Sequence, residues 1–193
     1  MSATTLIGYP REISTGLGSP EVTVRPLEPG DADRLLAFFR RIPGEERFYL
    51  KEDVTSPEVI NRWVETLDFD RVIPLVALLG QRIVVDATLH RHRSGARKHL
   101  GEIRVVVDPE YRNQGLGTMM MEELIDIAYG RAMDSVILEL VENKEDKAIE
   151  VALGLGFTRV ATLPNIVRDT QGKPQNLIIM ELSLERWLQA WNY

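Results

Sequence analysis

The amino-acid sequence predicts an α+β fold: one mostly antiparallel, mixed sheet of about seven strands, with helices on both faces. Three observations carry that prediction. Short apolar stretches alternate with a period of two, stretches with helical spacing of three and four separate several of them, and 193 residues suffice for a single core. Hydrophobic residues at 44% and charged residues at 27% fit neither a disordered tail nor a membrane protein.

The elements follow in order. Residues 1–20 hold Gly8, Pro10, Gly16, Gly18 and Pro20 without a sustained period, and are expected to form an extension that packs late or not at all. The folded region is expected over residues 21–184. Residues 21–27 alternate as a half-buried strand does, and Pro29, Gly30 and Asp31 supply a turn and cap before a helix carrying Leu35, Leu36, Phe38 and Phe39. Ser56 and Pro57 start a second helix, in which Ile60, Trp63, Val64 and Leu67 are spaced by three and four. Residues 73–79, 82–89 and 100–107 then read as three antiparallel strands, the first two joined by a turn at Gly80. After Gly117, the residues Met120, Met121, Leu124, Ile125 and Ala128 have helical period up to Gly130. A buried strand at 135–141, a helix at 145–155 and strands at 157–161 and 176–182 complete the sheet. Residues 185–193 form a tail with a short helix, Trp187, Leu188 and Trp191 sharing one face.

Composition excludes several chemistries. With no cysteine, there are no disulfides, thiolate metal sites or cysteine nucleophiles. No apolar run approaches the ~18 residues of a membrane helix, and the first residues lack a basic leader followed by an apolar stretch, so a cytoplasmic location is expected, without membrane attachment. The formal charge of −6 argues against nucleic acid as a partner and for a cationic one. Self-association as a homodimer is compatible with the sequence.

The most informative stretch runs from Val105 through Asp108 and Pro109 to Thr118, a strand leading through a glycine loop into a helix. A helix N-terminus opened by glycines exposes unpaired N–H groups and the positive end of the helix dipole, a setting for a phosphate or pyrophosphate, and Arg112 would add charge. A dinucleotide fingerprint would need a third glycine where Met120 stands, and a nucleotide P-loop would need Gly-Lys-Ser/Thr; neither is present.

Arg112, Asn113, Gln114, Gly115, Leu116 and Gly117 match Arg/Gln-x-x-Gly-x-Gly/Ala, the motif of the GNAT superfamily of acyl-CoA-dependent N-acetyltransferases, which the chain resembles. Asp108, Pro109, Glu110 and Tyr111 look like that family's lead-in, Leu155, Gly156 and Phe157 like its late signature, and the element order over residues 21–184 is similar to the family's. The resemblance implies a GNAT-like fold and acetyl-CoA as co-substrate, without a metal. It further implies that Val105, Val106 and Val107 offer backbone groups to the pantetheine arm, and that Arg112, Asn113, Gln114, Gly115, Leu116, Gly117 and Thr118 wrap the pyrophosphate. Residues 89–104 and 165–173 resemble the subgroup related to bacterial protein-lysine acetyltransferases, which implies a lysine acceptor. A small-molecule amine as acceptor, or a non-catalytic acyl-CoA-sensing module, are the alternatives.

An ammonium acceptor must lose a proton before it attacks a thioester, so a nearby carboxylate is useful. Glu102 stands where the resemblance puts the general base. Glu139 is its rival, because it interrupts the apolar run Val136 to Val141 and a buried carboxylate must be paired, shifted or facing a cavity. Asp169 falls in a loop expected to border the acceptor entrance. The family's general-acid tyrosine is replaced by Ala152, Glu145 stands where an asparagine is common, and Tyr111 and Tyr129 read as packing residues. His90, His92 and His99 share an arginine-rich connection; His-x-His supplies only two metal ligands among cations, so it reads as a solvated hairpin or a phosphate-facing rim.

Overall fold

The computed structural model describes residues 6, 8–16 and 19–191. Among these residues, eight strands and six α-helices follow one another as β1 (Arg11–Ile13), β2 (Val22–Pro26), α1 (Ala32–Arg41), α2 (Gly44–Arg47), α3 (Pro57–Glu65), β3 (Val72–Leu79), β4 (Arg82–Arg91), β5 (Leu100–Val107), α4 (Leu116–Gly130), β6 (Ser135–Val141), α5 (Asp146–Gly154), β7 (Thr158–Arg168), β8 (Pro174–Ser183) and α6 (Leu184–Trp191). The strands make one mixed sheet in the order β1-β2-β3-β4-β5-β6-β8-β7. The chain divides into two compact units, Met1–Thr88 with Val105–Met121, and Leu89–Arg104 with Glu122–Tyr193.

In the first unit, α1 and α3 cover a core of Leu27, Leu35, Phe38, Phe39, Ile42, Ile60, Val64, Val76, Leu78 and Ile83. Phe39 stands edge-on to both Phe38 and Trp63, with ring centroids 5.0 and 6.0 Å away. Each such buried side chain contributes about 1.5–3 kcal/mol. Of the two expected caps, Ser56 starts α3, its hydroxyl accepting from Val59 N at 3.3 Å, whereas buried Asp31 makes no side-chain cap bond to α1 and instead accepts from Glu28 N at 3.0 Å, closing the turn Pro29–Asp31 that precedes it. Asp31 also takes both ends of the Arg25 guanidinium, at 2.6 and 2.8 Å.

In the second unit, β5 runs parallel to β6, with Leu100, Gly101 and Glu102 opposite Ser135, Val136 and Ile137. β8 pairs antiparallel along the whole of β6, from Ser135↔Ser183 to Val141↔Leu177. The parallel register ends at Glu102↔Ile137, although both strands continue.

Eight strands among the described residues fit the expected sheet of about seven, and the additional one is β1. β1 lies in the segment read as a loosely packed extension, yet Arg11, Glu12 and Ile13 pair with Val24, Thr23 and Val22. Three residues between glycines and prolines are too few to show a period. Residues 1–5, 7 and 17–18 of that segment, and 192–193 of the tail, lie outside the described residues, as do the side chains of Leu188 and Trp191. β7 outruns its expected five residues because register shifts between Arg159 and Ala161, and between Leu163 and Val167, break the period of two.

Candidate active site

The lead-in to the glycine turn is fixed by one buried carboxylate. Asp108 N donates to Val84 O at 2.9 Å, tying the end of β5 to β4. Its Oδ2 accepts from Arg41 Nε at 2.6 Å and Arg82 Nη2 at 3.0 Å, while its Oδ1 caps the following turn through Glu110 N at 3.2 Å. Arg82 also reaches Glu110 at 2.8 Å and lies 5.1 Å over the Tyr111 ring, which gives that tyrosine its packing role. Burial pushes the Asp108 carboxyl upward, but Arg41, Arg82 and the Glu110 amide outweigh it and hold the group below the usual carboxylate range.

Next, Asn113 and Gly115 both adopt left-handed backbone, at φ 58° and 78°, which turns the chain sharply on either side of Gln114. The Gln114 carbonyl accepts hydroxyl hydrogen bonds from Thr15 and Ser19. A Cβ on Gly115 would press within 3.1 Å of Thr15 besides straining that φ. The first helical bond of α4 is Met119 N to Gly115 O at 3.0 Å, so the N–H groups of Leu116, Gly117 and Thr118 precede the ladder. A Cβ on Gly117 would meet Val107 at 3.3 Å, so that residue packs its backbone closely on β5. These amides and the dipole of a 15-residue helix fit an anionic phosphate.

Arg112 is committed elsewhere than the expected pyrophosphate contact. Its guanidinium forks onto Glu46 at 2.9 and 2.6 Å, and its Nε donates to Val107 O at 3.2 Å.

Glu102, about one-fifth exposed, accepts from Arg104 Nε at 2.7 Å and is the last residue of β5 in register with β6. Glu139 is exposed on β6, so the desolvation argument that singled it out does not hold. Asp169 is engaged by its own turn: Gln171 N and Lys173 N donate to Oδ1 at 3.0 and 2.9 Å, and Gln175 Nε2 to Oδ2 at 2.9 Å. Local desolvation raises the Asp169 carboxyl, and those donors more than offset it, leaving it below the usual range. Ala152 is fully buried within α5, where no phenol could stand without repacking. Glu145 caps the end of β6 by accepting from Val141 N at 2.6 Å, while Tyr129 is 48% exposed rather than packed. Among the described residues, no group of three or more His, Asp or Glu could hold a metal ion, and no helix is long and apolar enough to cross a membrane.

Two features escaped the sequence reading. Thr15 and Ser19 hold the glycine turn, and nothing in their composition signals it. Asp86, 9% exposed on β4, has its carboxyl pushed up to about 7 by burial. Its signal was legible, since it interrupts the apolar run Ile83 to Ala87 just as Glu139 interrupts its own.

A family model described as the acetyltransferase (GNAT) family matches residues 36–157. A ribosomal-protein alanine N-acetyltransferase of Escherichia coli is 35% identical over 80 residues, covering 42% of this chain and 53% of that protein. The chain thus spans about half the length of the curated relatives it matches. A GNAT-family acetyltransferase from Streptococcus pneumoniae superposes with a TM-score of 0.74 at 22% identity, over 84% of this chain and 99% of the other. A Salmonella typhimurium protein whose structure holds its cofactor acetyl-CoA gives 0.70 at 20% identity, over 84% and 94%. At these identities the structural likeness concerns the fold.

Proposed function

The chain belongs to the acetyltransferase (GNAT) family, and from that premise we propose that it transfers the acetyl group of acetyl-CoA to a primary amine of a protein. The observation that carries this reading is β5 itself, which bears a carboxylate at the residue where it leaves β6 and then runs into the glycine turn that opens α4. The pyrophosphate takes the N–H groups of Leu116, Gly117 and Thr118, with Arg112, Asn113, Gln114 and Gly115 shaping the turn around it. The backbone of Val105, Val106 and Val107 holds the pantetheine arm.

In the reaction, the neutral amine attacks the thioester carbonyl, the N–C bond forms, the C–S bond breaks to release CoA as a thiolate, and the proton left on the acylated nitrogen passes to solvent, which gives the amide. Glu102, directly or through a water, takes the proton that the ammonium must lose. Ala152 cannot protonate the thiolate as a phenol would; a thiol with a solution pKa of ~8.5 leaves adequately without that help at neutral pH. Glu139, exposed on the neighbouring strand, is the second candidate base, and Asp169 acts on a cationic acceptor through its field.

Two protein acceptors fit. The loop resemblance favours a lysine side chain. The Escherichia coli relative favours the amine of an alanine, since its name states a ribosomal-protein alanine as acceptor. A cytoplasmic location goes with acetyl-CoA as co-substrate. A homodimer is carried by the edge of β7, where Val160 and Ile166 are 52% and 60% exposed, and sedimentation at rising concentration tests it.

The test is free-thiol release from acetyl-CoA over a panel of lysine peptides, alanine-terminated peptides and small amines. Turnover with either peptide class supports the reading. CoA binding without turnover on any amine would replace it with a sensing module, and turnover on small amines alone would replace the protein acceptor.

A further inference from the structure

The connection between β4 and β5 is unlike the rest of the chain. From Ala87 to Gly101 there is no acidic residue, while Arg91, Arg93, Arg97, Lys98 and all three histidines fall inside that span. Residues 92–99 are exposed throughout. Two successive turns, Lys98 N to Gly95 O at 3.2 Å and Leu100 N to Arg97 O at 3.1 Å, give the tip a defined shape, and His99 O anchors its foot by accepting from Asp134 N at 2.9 Å. Among the described residues no carboxylate pairs with Arg97 or Lys98.

We propose that this basic tip, residues 90–99, is a docking surface for the phosphate backbone of a nucleic acid. The net charge of −6 led to the opposite expectation, but a net charge averages over the surface, whereas fields are screened beyond about 8–10 Å at physiological salt. Along the tip itself, from His90 to His99, a partner meets four cations and three histidines and no acidic residue of that segment. An overall acidic protein gains from such a patch only against a dense polyanion, and nucleic acid carries one charge per ~1.7 Å of duplex. The tip holds no Phe, Tyr or Trp and no large aliphatic residue between Leu89 and Leu100. It therefore has no apolar side chain to insert into a bilayer, and its cations contact phosphates, which carry no sequence information. The proposal stands apart from the acetyl-transfer reading, since none of these residues belongs to that site.

The test uses the full chain without acetyl-CoA or acceptor. Fluorescence anisotropy is measured with labelled mixed-sequence single-stranded RNA, duplex RNA and duplex DNA of equal length, beside polyglutamate and anionic lipid vesicles. Saturable binding to nucleic acid is expected, with a log–log salt slope of about −2 to −3 for single strands, or roughly 15–60-fold weakening between 50 and 200 mM salt. The triple variant Arg93→Gln/Arg97→Gln/Lys98→Gln should lose at least tenfold in affinity while its CoA affinity stays unchanged, which shows that it is folded. The RNA and DNA arms identify the source of the phosphates. Absence of binding at 50 mM salt, binding unaltered in the triple variant, or tighter binding to polyglutamate or vesicles would each overturn the proposal.

Discussion

Glu102 and Arg112 show how much of a site rests on single charged groups. If Glu102 accepts the ammonium proton, Glu102→Gln keeps its volume and its contact with Arg104 but lowers turnover by roughly 10²–10⁴, with CoA affinity retained. Steady-state rates and calorimetric CoA affinity on the same sample check both halves of that statement, and wild-type turnover would move the base elsewhere. The Arg112–Glu46 pair gives a prediction of opposite sign. Both partners are partly exposed, at 35% and 46%, so the pair is worth no more than about 1 kcal/mol. Glu46→Gln frees the guanidinium for the pyrophosphate, and CoA affinity should rise about two- to fivefold by calorimetry. An unchanged affinity would mean that the loop amides alone hold the phosphates.

At the scale of elements, the glycine turn is held from outside itself. Asp108 fixes its lead-in and the hydroxyls of Thr15 and Ser19 fix its crest, so the amides at the start of α4 are positioned before any ligand arrives. Asp108→Asn removes the charge that pairs Arg41 and Arg82. Their side chains are 29% and 33% exposed, so water compensates in part, and the expected loss is roughly 2–3 kcal/mol rather than the roughly 3–5 of a fully buried pair. Denaturant unfolding should report that loss, and CoA affinity should fall with it because the turn loses its anchor. A variant with lower stability but intact CoA affinity would show that the turn is shaped without the carboxylate.

Across the whole molecule, the pH dependence of stability comes from carboxylates shifted in opposite directions. Burial raises Asp31, but Arg25, the Glu28 amide and Arg34 outweigh it and leave it depressed, as Asp108 is. A depressed carboxylate stabilises the fold fully above its unfolded value near 4, and that stability is lost as pH falls through the folded value. Asp86 has the reverse sign. Its folded value of about 7 lies above the ordinary 3.8, so its contribution is fully present below pH 4 and lost as pH rises through 7, on the order of 4 kcal/mol in all. The urea midpoint of the wild type should therefore decline between pH 4 and 8, and that decline should flatten in Asp86→Asn. An equal decline in both proteins would place the titrating group elsewhere.

The sequence by itself determined the strands that alternate cleanly, the helices with caps, and the glycine turn, because each of these is written in residues close along the chain. Ser56 before Pro57, the period of Met120, Leu124 and Ala128, and Asn113 to Gly117 need no distant partner to be read. It also offered Glu102 as a candidate base, through the resemblance alone. What only the tertiary structure decided depends on contacts between residues far apart in sequence. Glu139 is exposed and Asp86 buried although both interrupt apolar runs, because sheet position and covering elements set exposure. Arg112 turns to Glu46, 66 residues away, and Thr15 reaches Gln114 across 99. Local pattern fixes backbone conformation; the partner of a charge or hydroxyl is fixed by chain folding, which no single stretch of sequence records.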